Sequence, residues 1–159
     1  MAYIYPAPGV TNVEMTLGIS VAANSAGSPE LTLPGLQDVT INAANDVFTW
    51  TQLDTASKLQ IATTATNSVT MNIVLDQTAW FGDTGETAGE ADYLGVWTLS
   101  GNKTLLDFEI YLGDTNGGAT GKTISGEGYI TGLAPTVSAD APVWVSPITI
   151  TVTGDYTVS

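Results

Sequence analysis

The stretch GYITGLAPTVSADAPVWVSPITITVTGDYTVS, residues 128–159, decides how this chain is read. Within it Ile148, Ile150 and Val152 alternate with Thr149, Thr151 and Thr153. Side chains in a strand point to opposite faces in turn, so this pattern predicts a strand with an apolar face and a hydroxyl face. Branching at Cβ suits both Ile and Thr to a pleated surface. Pro135, Pro142 and Pro147 break the run before it and make a second helix-free connection.

The same alternation recurs upstream. In residues 69–75, VTMNIVL, Val69, Met71, Ile73 and Leu75 share one face. In residues 104–112, TLLDFEIYL, Leu106, Phe108, Ile110 and Leu112 face one way and Asp107 and Glu109 the other. EMTLGISVAAN predicts a strand over about 14–22, and GKTISGEGYITGL another after the glycine-rich turn GDTNGGATG. LQDVTINAANDVFTWTQL reads as two strands joined at a hairpin corner, Ala44, Asn45 and Asp46. Phe48 and Trp50 then share a face, the ordinary arrangement for core aromatics. One helix is expected over 86–99, with Glu86, Glu90 and Asp92 early, where the helix dipole favours anions, although Gly89 and Gly95 interrupt it. Residues 55–65 read as a Thr-rich loop with a strand, and NSAGSPE (24–30) as a loop. Strands separated by turn signals, without a helix between each pair, predict a mainly β fold: a two-sheet antiparallel sandwich, barrel-like, with one short flanking helix and arms at both termini. No internal repeat or linker divides the 159 residues, which are expected to form a single domain, 1–10 being an N-terminal arm and 141–159 a closing strand or arm.

Charge narrows the function. Sixteen carboxylates face three lysines, with no arginine and no histidine, for a formal net charge of −13. Phosphate contacts and anionic membrane surfaces both need cations, so nucleic-acid binding and membrane attachment are not expected. Charged residues make up only 12% of the chain, so its polar surface must be mostly Thr, Ser, Asn, Gln and Gly. The acidity fits either salty surroundings or a surface built to repel something. Without cysteine there is neither disulfide nor thiolate metal site. The opening MAYIYPAPGV lacks the basic start and long apolar core of a secretion signal, which predicts a soluble chain made inside the cell.

Chemistry is hard to build from what remains. Ser–His and Cys–His nucleophile pairs cannot form, and Asp107 with Glu109 read as the solvated side of a half-buried strand rather than a glycosidase pair. FGDTGETAGE and GDTNGG offer oxygen ligands in glycine-rich turns, but neither has calcium-loop spacing. GGATGKT is too short for a phosphate-binding loop, and no helix pattern follows it. No catalytic residue, metal or cofactor is therefore assigned. The tryptophans could form a sugar-stacking platform, yet aromatics more often anchor cores and interfaces. Trp80 and Phe81 follow a strand at a core edge or interface, and Trp144 sits in APVWVSP, an extended segment suited to anchor a neighbour. Tyr3, Ile4 and Tyr5 are too apolar for a free tail, and Pro6 and Pro8 keep them from forming helix, so they are candidates to dock on another subunit or else to cover the core of their own.

Residues 125–156, SGEGYITGLAPTVSADAPVWVSPITITVTGDY, resemble the C-terminal signature of major tail tube proteins of long-tailed bacteriophages. The matching residues are Gly126, Gly128, Tyr129, Ile130, Thr131, Leu133, Ala141, Pro142 and the 148–153 strand; FTWTQLDTASKLQIATTATNSVTMNIVLD resembles the family's earlier portion. Trp144 departs from the more polar turn usual there. The resemblance, from about residue 39 onward, implies a β-sandwich that forms hexameric rings stacked into a hollow virion tail tube, a non-enzymatic conduit for the ejected genome. It also implies contacts with adjacent rings through an N-terminal arm, a long loop and a C-terminal arm, and with other tail, baseplate and terminator proteins. DNA would pass without binding, so the bore must be acidic or inert, and Asp107 and Glu109 are candidates to line it. The other reading of the same strands is a monomeric carbohydrate-binding, adhesion or decoration module.

Overall fold

The computed structural model describes residues 13–20, 31–63, 66–113, 121–140 and 142–159. Two expected features, the loop at 24–30 and the glycine-rich turn after residue 113, fall largely outside them.

Seven strands build one antiparallel sheet. They are β1 (Val13–Ile19), β2 (Leu31–Thr32), β3 (Leu36–Asn42), β6 (Asn67–Val74), β7 (Leu106–Leu112), β8 (Lys122–Leu133) and β9 (Val145–Val158), in the spatial order β2-β1-β7-β8-β9-β6-β3. The sheet curls until β1 packs near β3, so the architecture is barrel-like. A second, two-stranded sheet pairs β4 (Asp46–Gln52) with β5 (Thr55–Thr63). Two helical segments, α1 (Gln77–Phe81) and α2 (Ala91–Gly101), lie between β6 and β7.

The period-two patterns place the core as expected. Val69 pairs with Ile150, Met71 with Ile148, and Ile130 with Ile150 from the other side. Met15 pairs with Ile110 and Leu17 with Phe108. These side chains meet in one buried cluster with Trp80, Val96 and Leu99, so the helices cap the same core that the sheet encloses. At about 25 cal/mol per Å² of apolar surface removed from water, this cluster is the main favourable term in the fold. The segment from Val145 to Val158, ahead of the last residue, is an interior strand between β8 and β6. Two glycines serve close packing on the inner side of β8. A Cβ at Gly126 would lie 2.9 Å from the Phe108 ring, and one at Gly128 would lie 2.5 Å from the Thr151 carbonyl oxygen.

Three local expectations are corrected. Ala44, Asn45 and Asp46 do not close a hairpin: β3 pairs with β6, and the chain then departs into β4, which pairs with β5. The stretch read as a loop with a strand is strand throughout 55–63, because cross-strand partners from Asp46 to Gln52 satisfy its backbone. The expected helix over 86–99 begins only at Ala91, and Gly95, at φ 73°, breaks its regular backbone. A Cβ at Gly95 would come 2.3 Å from the Gly82 nitrogen, and one at Gly82 (φ 95°) would come 2.1 Å from the Tyr93 carbonyl oxygen. Two left-handed glycines thus let α1 and α2 cross backbone on backbone. The short α1 starts where the Asp76 side chain accepts hydrogen bonds from the amides of Thr78 and Ala79. The Thr78 hydroxyl bonded to the same carboxylate is the leading reason its pKa falls below the ordinary value.

Candidate assembly surfaces

Two apolar surfaces and one polar face dominate the exterior. The first is the β4–β5 hairpin. Its register sets Phe48 opposite Ile61 and Trp50 opposite Leu59, so these four side chains line one face. The Phe48 and Trp50 rings stack with centroids 6.0 Å apart. Phe48 is 58% exposed and Ile61 57%, which overturns the core placement expected of Phe48 and Trp50. The alternation was read correctly, but among the described residues the face it creates stands outside the buried cluster, with Trp50 and Leu59 half-buried. A two-stranded hairpin is marginal in water on its own. What roots it is Tyr156, whose hydroxyl lies 2.8 Å from the carbonyl oxygen of Asn42 and 3.0 Å from that of Ser68. Its ring meets Phe108 edge-on at 6.3 Å. Burial is the main reason its phenol pKa is raised.

The second is a groove of about 400 Å³ between the start of α1 and the segment before β9, lined by Leu75, Trp80, Phe81, Pro142, Val143 and Trp144, with Asp76 and Gln77 at its edge. Phe81 is 51% and Trp144 44% exposed, and their rings meet edge-on at 6.4 Å. The Trp144 carbonyl accepts from the Leu75 amide at 2.9 Å, which pins the segment to the end of β6. The structure therefore brings together two of the aromatics singled out in the sequence. Trp80 is different: only 1% exposed, it belongs to the core, and its expected role as a contact residue is revised to forming the groove's floor. Tyr3, Ile4 and Tyr5 lie outside the described residues.

The third surface is the outward face of the curled sheet. Across β6, β9 and β8 it is a field of hydroxyls, with Thr70 opposite Thr149 and the Thr131 and Thr151 hydroxyls 2.9 Å apart. Across β1, β7 and β8 it is acidic. Asp107 pairs with Glu127, Glu109 with Ser125, and Glu14 with Tyr111. Asp107 and Glu109 are exposed, as alternation predicted. Partial burial, followed by the negative charge of Glu127, raises the Asp107 pKa, while the Ser20 hydroxyl bonds to Glu127 at 3.1 Å. Sequence reasoning missed Glu127 because its β7 partner is set by register. By register Lys122, the sheet's one lysine, falls on the side of Leu112 and not with Asp107 and Glu109, although it is exposed at the end of its strand, and Lys103 lies beside Tyr129 and Thr131. Among the described residues no group of His, Cys, Asp and Glu side chains is arranged to hold a metal ion, and no helix is long and apolar enough to cross a membrane.

No protein-family model matches the chain, and no curated protein matches its sequence. Its fold, however, is that of tail and tube structures. The tail tube of SPP1 superposes with a TM-score of 0.64 at 13% identity, over 92% of this chain and 76% of that one. A structure of the sheath/tube terminator of an extracellular contractile injection system matches at 0.62 and 15%, over 99% of both chains. The tail of an empty GTA particle, of C6 symmetry, matches at 0.60 and 10%, over 91% of this chain and 95% of that one.

Proposed function

We propose that this chain is the repeating subunit of a virion tail tube, assembled in the host cytoplasm, in which hexameric rings stack around an acidic bore that carries the genome. The observation that carries the reading is the shared fold with tail and tube structures along nearly the whole chain. The exterior supports it. A conduit for a polyanion must not bind phosphate, and a sheet face whose strands set hydroxyls and the carboxylates of Asp107, Glu109 and Glu127 outward disfavours it. Repeated around a ring, Asp107, Glu109 and Glu127 form an acidic lining in this proposal. The role is structural, with no catalysis, and the partners are further copies of the chain together with terminator and baseplate components of the same tail. Residues 1–159 act as one tube unit, and the N-terminal arm, 1–10, contributes contacts to a neighbour through Tyr3, Ile4 and Tyr5. Phe81 and Trp144 supply a second contact.

Negative-stain micrographs of the purified protein test this directly. Hollow tubes or six-fold rings with a stain-filled centre are the expected image. Solid fibres, or a chain that remains monomeric at high concentration, overturn the proposal. Removing residues 1–8 then isolates the arm: tubes of normal length from the shortened chain would remove its role.

A further inference from the structure

The groove beside α1 is apolar at its centre and acidic at its margins. Phe81, Val143 and Trp144 are all exposed there, and the bridge between Thr136 and Val145 brings a further exposed residue, Val137, alongside. Asp76 stands at the α1 edge, and Asp140 comes two residues before Pro142 on the opposite wall. On the other side of α1 a second depression, which shares Asp76, is bounded by Asp83, Glu86 and Asp92. No lysine lines either one. The bond from the Thr78 hydroxyl holds the Asp76 pKa below its ordinary value, so that edge stays charged.

An apolar centre between uncompensated carboxylates fits an apolar anchor with cations on its flanks. The chain has no such segment of its own to offer. It holds three lysines and no arginine. Lys58 shares its strand face with Ala56 and Gln60, not with Leu59 or Ile61. Lys122 falls on the side of Ile124, which is packed against the core, and Lys103 lies beside Tyr129 and Thr131. A second copy would therefore set carboxylates against carboxylates at this edge, a repulsion that a cationic flank reverses. We infer that the groove receives a segment of a different protein, an aromatic or branched apolar anchor flanked by lysine or arginine. The inference rests on the tube reading for its setting, and it assigns the contact made by Phe81 and Trp144 to a non-identical component of the tail.

Three short peptides test it: GKKWLKKG, its acidic counterpart GEEWLEEG, and MAYIYPAPGV, which is residues 1–10 of the chain itself. Dye-labelled GKKWLKKG should gain fluorescence anisotropy on the purified full chain, and GEEWLEEG should not. Phe81→Ala and Trp144→Ala should each weaken that binding about tenfold while Tm holds, since both side chains are exposed. Asp76→Asn with Asp140→Asn should weaken it about threefold at low salt, and added salt should erase the difference. Asparagine still caps α1, so the fold survives that change. Equal binding of the basic and acidic peptides overturns the inference, and so does basic binding that Trp144→Ala leaves untouched. Tighter binding of MAYIYPAPGV would make the N-terminal segment the occupant and overturn it too. Micrographs of the same samples keep the tube reading separate. Tubes whose subunits ignore GKKWLKKG sink this inference alone, whereas a chain that binds it at Trp144 and never assembles sinks the tube reading and leaves the groove's ligand chemistry standing.

Discussion

The β6–β9 pair and the β4–β5 hairpin are built from the same kind of sequence and meet opposite fates. In the first, Val69, Met71, Ile148 and Ile150 form an apolar face, and every one of them is fully buried. In the second, Phe48, Trp50, Leu59 and Ile61 form a comparable face, of which Phe48 and Ile61 are exposed and Trp50 and Leu59 only half-buried. Alternation specifies which side chains share a face. It says nothing about what covers that face. The barrel buries the first completely, and the described residues bury the second only in part.

Substitutions in the two regions should therefore differ in their cost to stability. The largest effect belongs to the barrel: Phe108→Ala removes a fully buried ring and should cost about 3–5 kcal/mol, read as a large drop in Tm. Gly95→Ala should follow at about 2 kcal/mol or more, because the backbone is left-handed there and an added Cβ would collide with the Gly82 nitrogen. Urea titration would show it, and a cost within experimental error would mean the crossing of α1 and α2 is loose. Asp76→Ala should cost about 1 kcal/mol by removing the α1 cap. Its pH signature has a definite sign. The folded pKa of Asp76 lies below the ordinary value, so its contribution is present above that value and is lost as pH falls through the folded one. Asp107 runs the other way. Its raised pKa means that its charged form is disfavoured in the fold, so stability declines as pH rises from the ordinary value through the folded one. Asp107→Asn should flatten that decline and leave the monomer slightly more stable at neutral pH, by a few tenths of a kcal/mol for so exposed a group. A comparably small change, within about 1 kcal/mol, is expected for Phe48→Ser, whose exposed ring stacks on Trp50 outside the buried cluster. A large loss of Tm on Phe48→Ser would show that the hairpin face is covered within the subunit after all.

Much of the barrel was legible from residue order. Strands at 69–75, 104–112 and 148–153 and their inward faces follow from period two alone. The departures have physical causes. Ala44, Asn45 and Asp46 look like a corner, but whether neighbouring strands pair is settled by long-range register, which no local turn signal encodes. The signal for α1 was present as an Asp two residues ahead of a Thr, the arrangement of a cap, though five residues are too few for periodicity to register. Trp80 and Trp144 could not be told apart by composition, since burial of the first depends on where α1 lands. Glu127 escaped notice because it joins Asp107 only through the β7–β8 register.

Chain connectivity has a consequence for the order in which this molecule forms. The hairpin turns between Gln52 and Thr55, a local closure of a kind that takes microseconds, whereas β1 must find β7, with Val13 opposite Leu112. Pairings so distant in sequence slow folding. The ribbon can close early but gains its root only when Tyr156, close to the end of the chain, reaches Asn42 and Ser68, so until then its aromatic face belongs to a marginal hairpin. Residues 1–63 already carry five carboxylates against one lysine, so copies at that stage repel one another while the ribbon waits for its root.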